Sequence, residues 1–240
     1  MVSNLDEIKV PLSNDGIFYT VQGEGKNTGQ LSIFIRLSYC NLHCSFCDSF
    51  YTWKSEYVNS IEKPNWVSLD YILQEIKKYS LCKHIVFTGG EPLLFQNKLL
   101  RLFQVLNKEG YTIEIETNGT IIPFFVTSLY CSFNISPKLS NNTTDTRKKR
   151  ICFEALQSLN HTFSHIFKFV VNNKDDWEEI EKDFIIPFNI PLNKIYLMPE
   201  GQTREELELR RQNIVNLCLE KGVNYSDRLQ TVIWDKKRGV

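Results

Sequence analysis

The strongest constraint on the fold of this chain is a rhythm: short apolar runs alternate with amphipathic ones. Apolar runs of strand length begin near residues 31, 84, 111, 131, 165 and 194. Between several of them the spacing is helical. Residues 68–80 place Leu69, Ile72, Leu73 and Ile76 on one face behind Ser68, a favourable N-cap residue. Residues 97–109 align Leu99, Leu102, Phe103 and Leu106, and Gly110 ends that helix. Residues 147–159 and 175–184 read as further helices, and Thr203-Arg204-Glu205-Glu206 opens a last long one with a capping box. Strands alternating with helices predict a parallel sheet with crossover helices. A full eight-unit barrel takes about 250 residues, and this chain of 240 spends many of them outside the rhythm. The expectation is an α/β fold, an incomplete, six-stranded parallel β/α barrel, forming a single domain over residues 1–240.

In such folds the loops at the carboxyl ends of the strands form the active site. Those loops carry the polar and glycine motifs of this chain: residues 40–47, Thr88-Gly89-Gly90-Glu91, Glu116-Thr117-Asn118-Gly119, Ser136-Pro137-Lys138 and Met198-Pro199-Glu200-Gly201. Each alone reads as an ordinary turn. Their recurrence after strand upon strand predicts one shared mouth. Residues 15–27 hold Gly16, Gly23 and Gly25, a density that predicts a backbone passing close to something. No strand-to-helix context there supports a nucleotide motif. Residues 140–146 are the expected flexible loop.

The first of these loops, Cys40-Asn41-Leu42-His43-Cys44-Ser45-Phe46-Cys47, carries three cysteines spaced C-x3-C-x2-C. Thiolates select zinc, Cu(I) or iron–sulfur clusters. Three protein ligands leave one position open, as a reactive centre does and a structural zinc site does not. A zinc knuckle with His43 as fourth ligand is the alternative. Cys82, Cys131, Cys152 and Cys218 lie singly among apolar residues and read as buried thiols, not a disulfide framework. Lys plus Arg and Asp plus Glu number 28 each. No whole-chain field therefore attracts nucleic acid, and no polybasic tail holds a membrane. The basic run at 147–150 reads as a solvated helix start. No apolar run approaches the roughly 18–20 residues of a membrane span, and residues 1–12 lack the apolar core of a secretory signal. These features predict a cytoplasmic protein with reduced thiols.

Together with Gly89-Gly90-Glu91-Pro92 and the aromatic Phe46, the cysteine loop resembles the radical S-adenosylmethionine (radical SAM) superfamily. The resemblance implies a 4Fe–4S cluster on Cys40, Cys44 and Cys47, with SAM chelating the fourth iron as the source of a 5′-deoxyadenosyl radical. Residues 18–25 (Phe-Tyr-Thr-Val-Gln-Gly-Glu-Gly), 34–37 (Phe-Ile-Arg-Leu), Cys47-Asp48-Ser49 and the tail 228–234 (Arg-Leu-Gln-Thr-Val-Ile-Trp) are similar, in order, to the 7-carboxy-7-deazaguanine synthase family. That family turns 6-carboxy-5,6,7,8-tetrahydropterin into 7-carboxy-7-deazaguanine with loss of ammonia, on the way to queuosine-type nucleosides. It implies a homodimer, Mg²⁺, and a flavodoxin-type or other reductant.

Carried over, the resemblance implies pterin contacts from Val21, Gln22 and Gly23 in an N-terminal substrate-binding extension, and from Thr88 and Gln230. Arg36 would pair with the substrate carboxylate, a task for a planar fork of donors. The alternative is a structural pair with Glu24 or Glu116. SAM would be lined by Phe46, Cys47, Asp48, Gly90, Glu91, Ser136, Pro137, Lys138, Met198, Pro199 and Glu200, and Ser49 would ligate Mg²⁺. Three positions depart from the family pattern: Tyr39 stands where glycine is expected, Ser49 for threonine, and Gln230 where some members have histidine. The rival is a radical SAM activating enzyme that makes a glycyl radical on a partner protein. It shares the cysteine spacing but needs neither residues 22–25 nor Arg36.

Overall fold

The computed structural model describes residues 4–61 and 63–240. Its centre is a sheet of nine strands in the order β3-β1-β2-β4-β5-β6-β7-β8-β9. The strands are β1 (Lys9–Val21), β2 (Leu31–Leu37), β3 (Asn65–Ser68), β4 (His84–Gly89), β5 (Thr112–Thr117), β6 (Cys131–Ile135), β7 (His165–Val171), β8 (Ile195–Pro199) and β9 (Asn224–Tyr225). From β2 through β9 every pairing is parallel. The six expected strand units are β2 and β4 to β8, in the expected order, and the sheet is an incomplete barrel with edges at β3 and β9.

Alternation along these six strands separates two interiors. Ile33, Ile35, Leu37, Ile85, Phe87, Ile113, Ile115, Phe133, Ile135, Phe167, Phe169, Val171, Ile195 and Leu197 all belong to the buried apolar core. The intervening residues, which a period of two turns to the opposite face, include Arg36, Thr88, Glu114, Glu116, Asn134 and Lys168. Register puts Arg36 beside Thr88, and Glu116 beside Asn134. One face of the sheet therefore packs helices and the other carries polar groups.

Helices cover the apolar face, while the last of them, near the end of the chain, borders the polar one. In α1 (Leu69–Lys77), Leu69, Ile72, Leu73 and Ile76 are buried, and the Ser68 hydroxyl caps the helix by accepting from Tyr71 N–H. In α2 (Gln96–Lys108) the buried row is Leu99, Leu102, Phe103 and Leu106, with Phe103 meeting Phe87 edge-on at 4.9 Å. Shorter helices follow: α3 (Phe125–Tyr130), α4 (Arg147–Arg150) and α5 (Phe153–Asn160). Next, α6 (Asp176–Ile180) runs through a π-helical turn, Glu181–Ile185, into α7 (Ile186–Phe188). The last two are α8 (Arg204–Lys221) and α9 (Leu229–Trp234). Thr203 caps α8 by accepting from Glu206 N–H at 3.1 Å. Glu206 reaches back one residue further than a standard capping box, to Gln202 N–H at 2.6 Å.

Three sequence expectations change. The glycine-rich segment from residue 15 is largely strand: β1 pairs antiparallel with β2 and β3, and a register shift between Leu12 and Ile17 absorbs Gly16. The single helix expected at 147–159 breaks at Ile151 and Cys152, both extended, to give α4 and α5. The expected flexible loop at 140–146 is tied down. Ser140 donates to Glu179, Asn142 Nδ2 donates to Val170 O, and Thr143 bridges to Cys44. The basic run beside it is largely ion-paired, Arg147 with Asp183, Lys149 with Asp145 and Arg150 with Glu179. No helix among the described residues is long and apolar enough to cross a membrane.

Candidate active site

The polar face of the sheet lines a cavity of about 390 Å³ that the strand-end loops complete. Cys40, Cys44, Phe46, Cys47, Asp48 and Ser49 border it on one side, and Val21, Gln22, Gly23 and Glu24 on another. Arg36, Thr88, Gly90, Ser136, Lys138, Met198 and Gln230 complete this set. Four sequence candidates do not line it: Glu91, Pro137, Pro199 and Glu200. Glu91 is fully buried, and its carboxylate accepts from Leu93 N–H, Thr117 Oγ1 and Asn118 N–H at 2.7–3.0 Å. It braces the loops behind the cavity. Glu200 accepts from Asn172 Nδ2 at 2.9 Å, beyond the rim.

The cysteine loop owes its shape to the way β2 and β4 leave the sheet side by side. Gly90 N–H donates to Leu37 O and Glu91 N–H to Tyr39 O. A Cβ on Gly90 would lie 1.8 Å from Tyr39 O, so only glycine permits the approach. Tyr39 itself has φ +72°, a conformation that costs a side-chain-bearing residue about 1–2 kcal/mol. This accounts for the glycine expected there. Here the tyrosine ring packs between Trp66 and Phe95, at 6.5 and 6.4 Å, which offsets the strain. On the outer side Thr143 Oγ1 donates to His43 O, and Asp145 accepts from His43 N–H.

Burial pushes the Cys40 thiol up to about 12 and raises that of Cys44. Bound iron supplies the positive charge that makes thiolates favourable in such a place. Among the described residues no three His, Cys, Asp or Glu side chains converge closely enough to ligate one ion. A 4Fe–4S cluster asks for less convergence, since each thiolate takes its own iron. The donor set and the bordering cavity suit a cluster with one iron open to a ligand.

Deeper in the cavity is a network of charges and amides. Glu24 pairs with Lys168 and with Arg228, whose Nε lies 3.2 Å away, and accepts from Gln230 Nε2 at 2.7 Å. Burial alone would raise the Glu24 carboxyl, but the two cations outweigh it and hold it below the usual carboxylate range. Arg228 also pairs with Asp48 and donates to Gly201 O. It thus joins the glycine segment, the cysteine loop and the loop after β8. Gln22 is 1% exposed, and its amide donates to Glu114 at 2.7 Å and Glu116 at 3.2 Å. Its side chain orients other groups and is fully engaged by protein. Thr88 Oγ1 donates to Glu116 at 2.6 Å. Arg36 lies 3.5 Å from Asp15, and its buried Nε makes no hydrogen bond. That pair runs through Nε itself, so the carboxylate neighbour of Arg36 is Asp15, neither Glu24 nor Glu116. Gly23 admits Gln230: a Cβ there would sit 1.7 Å from Gln230 Oε1.

Read from sequence, Glu114, Lys168 and Arg228 carry no site role, and Glu116 is a residue of the mouth and a rival partner for Arg36. The available signal was charge inside otherwise apolar strands, as in Thr112-Ile113-Glu114-Ile115-Glu116 and Ile166-Phe167-Lys168-Phe169. Burial first, and then the Glu116 carboxylate, push Glu114 up to about 7. A carboxyl raised by folding favours the folded state at low pH and loses that advantage as pH climbs from 4.5 to about 7. A shift of this size is worth about 3 kcal/mol. Glu114→Gln should therefore flatten the fall in stability across that window, read as urea midpoints at several pH values. Equal slopes in the two proteins would show that Glu114 does not titrate there.

Three thiols on the loop after the first parallel strand, facing a polar cavity at the mouth of an incomplete barrel, define a radical SAM enzyme. The family model described as "Radical SAM superfamily" matches residues 34–154. The 7-carboxy-7-deazaguanine synthase of Halobacterium salinarum is 35% identical over 91% of this chain and 89% of its own length. That of Pyrobaculum aerophilum is 30% identical over 93% and 95%. The crystal structure of QueE from Escherichia coli superposes with a TM-score of 0.69 at 28% identity, covering 93% of this chain and 95% of that one. Within the radical SAM superfamily, the chain belongs to the 7-carboxy-7-deazaguanine synthase family.

Proposed function

We propose that this enzyme converts 6-carboxy-5,6,7,8-tetrahydropterin into 7-carboxy-7-deazaguanine with loss of ammonia, using a 4Fe–4S cluster, SAM and Mg²⁺. The observation that carries this is the meeting, in one cavity, of the three-cysteine loop with the cation Arg36, whose carboxylate neighbour among the described residues, Asp15, stands 3.5 Å off without a hydrogen bond. Cys40, Cys44 and Cys47 hold the cluster. Phe46, Asp48, Gly90, Ser136, Lys138 and Met198 line SAM. When bound, cluster and SAM would supply radical chemistry at the substrate.

The chain's own groups bind and orient. Arg36 pairs with the pterin carboxylate, a bidentate partner for its fork of donors. Thr88 and the backbone of Val21 and Gly23 bound the substrate. Gln230 and Lys168 hold Glu24 in place, and Gln22 and Thr88 hold Glu116. The Ser49 hydroxyl, which borders the cavity and lies 3.7 Å from Cys47 Sγ, offers a hard oxygen for Mg²⁺. Membership of the family supports a homodimer, a flavodoxin-type or other reductant, and a cytoplasmic setting. It likewise supports a single domain with an N-terminal substrate-binding extension.

The test is a product assay. Reconstituted protein with SAM, reductant and carboxytetrahydropterin should release a product with the mass of 7-carboxy-7-deazaguanine. SAM cleavage that depends on a partner protein, with no pterin product, would overturn the assignment. Arg36→Lys keeps the charge but loses the fork. It should weaken pterin binding about ten- to a hundredfold and leave the cluster intact. Unchanged pterin affinity with a large loss of stability would assign Arg36 to its pairing with Asp15.

A further inference from the structure

The segment after the cysteine loop turns back on it. Thr52 N–H and Thr52 Oγ1 both donate to Ser49 O, at 2.9 and 2.7 Å, and Trp53 N–H donates to Phe50 O at 3.1 Å. This 3₁₀ turn, Phe50–Thr52, reverses the chain and lays Trp53 over Cys47, six residues earlier. The indole Nε1–H then points at Cys47 Sγ, 3.3 Å away. The ring is also held from outside: His43 meets it edge-on at 5.0 Å, and Asp145 fixes His43 through its backbone N–H and its Nδ1. The sulfur of Cys40 has longer contacts, from Leu42 N–H at 3.5 Å and Asn118 Nδ2 at 3.8 Å.

We infer that Trp53 raises the reduction potential of the iron–sulfur cluster through its N–H···S hydrogen bond to Cys47. This rests on the assignment of Cys47 as a cluster ligand. Adding an electron to a cluster increases the negative charge on its sulfurs, so a donor aimed at one of them binds the reduced state more strongly. Hydrogen bonds to ligand sulfurs are among the levers by which a protein sets such potentials. The indole suits the task because its one polar atom is a donor and never an acceptor. Its position is fixed by the turn beneath it and by His43 against its edge. Trp53 is a positioning and tuning residue, since it acts on the cluster through Cys47.

The test compares wild-type protein, Trp53→Phe and the control Trp177→Phe, a core tryptophan of α6 that does not line the cavity, each anaerobically reconstituted. Trp53→Phe should keep the iron content of the wild type. Its midpoint, from redox titration followed by electron paramagnetic resonance, should fall. At a fixed potential the ratio of reduced to oxidised cluster should drop about tenfold, which is 59 mV for a one-electron couple. An exchangeable-proton coupling to the reduced cluster should vanish with it, while Trp177→Phe changes neither readout. An unmoved midpoint with an unmoved proton coupling overturns the inference and leaves the proposed function standing. Wild-type protein that takes up no cluster overturns both. If Trp53→Phe fails to hold iron, replacing the indole by its benzothiophene analogue keeps shape and removes only the N–H. The same drop in midpoint is then expected, and its absence is decisive against the bond.

Discussion

Replacing Cys40, Cys44 or Cys47 by alanine, one at a time, is expected to remove most bound iron and all turnover. The three thiolates are the only protein ligands proposed, and a thiolate deleted from a cluster with one iron already left to SAM leaves a second iron unanchored. The surrounding loop cannot compensate. His43 is committed to Asp145 and to the edge of Trp53, and Asn118 is hydrogen-bonded to Asn41. Cys82→Ala and Cys218→Ala should keep both iron and activity. These thiols sit in the core, Cys82 donating to Leu31 O and His84 O and Cys218 to Asn224 O. Their loss is a packing defect far from the cavity. Iron per chain and product mass settle the matter: iron kept by Cys44→Ala but lost by Cys82→Ala would put the metal centre elsewhere.

Arg228→Met is expected to be the most destabilising charge deletion at the site. The side chain is 8% exposed and satisfies three partners at once, Glu24, Asp48 and Gly201 O. Asp48 is half exposed and regains water when the arginine is gone. Glu24 cannot, and is left buried with Lys168 as its one cation and the Gln230 amide beside it. Breaking a buried pair from one side costs about 3–5 kcal/mol, and the exposure of Asp48 puts the expectation at the lower end, about 3 kcal/mol. Denaturant midpoints of Arg228→Met, Glu24→Gln and the double variant give the coupling. A double variant no less stable than the worse single one would confirm that the two act as a unit. Simple additivity would mean that Arg228 holds the fold through Gly201 and not through Glu24.

Why the barrel was legible in the sequence, and the charge network was not, has a physical reason. Strand and helix periods are local: Leu69, Ile72, Leu73 and Ile76 announce their shared face within eight residues, and the structure buries all four. The cysteine loop was legible for the same reason, its ligands lying within one turn of chain. The carboxylate partners of Arg228 are 180 and 204 residues away, and no local period reports them. Arg36 shows the same limit on a smaller scale. Its strand position was readable, yet its neighbour is Asp15, brought alongside when β1 folds back on β2. That strand was itself obscured by glycines whose spacing reads as loop. Glu91 erred in the other direction. Its place in a Gly-Gly-Glu segment suggested a ligand contact, whereas the structure engages both its oxygens with protein donors.

The latch between Arg228 and Gln230 at one end of the chain and Gly23 and Glu24 near the other has a consequence for how the enzyme is made. A ribosome adds about 5–20 residues per second, so the stretch from Cys47 to Arg228 takes roughly 10–35 s to emerge. Throughout that interval the cysteine loop exists without the arginine that ties it to the glycine segment. The thiols meet the cell before the pocket can close around them. Delivery of iron to a nascent chain would thus find an open loop, and delivery to a finished one a latched loop.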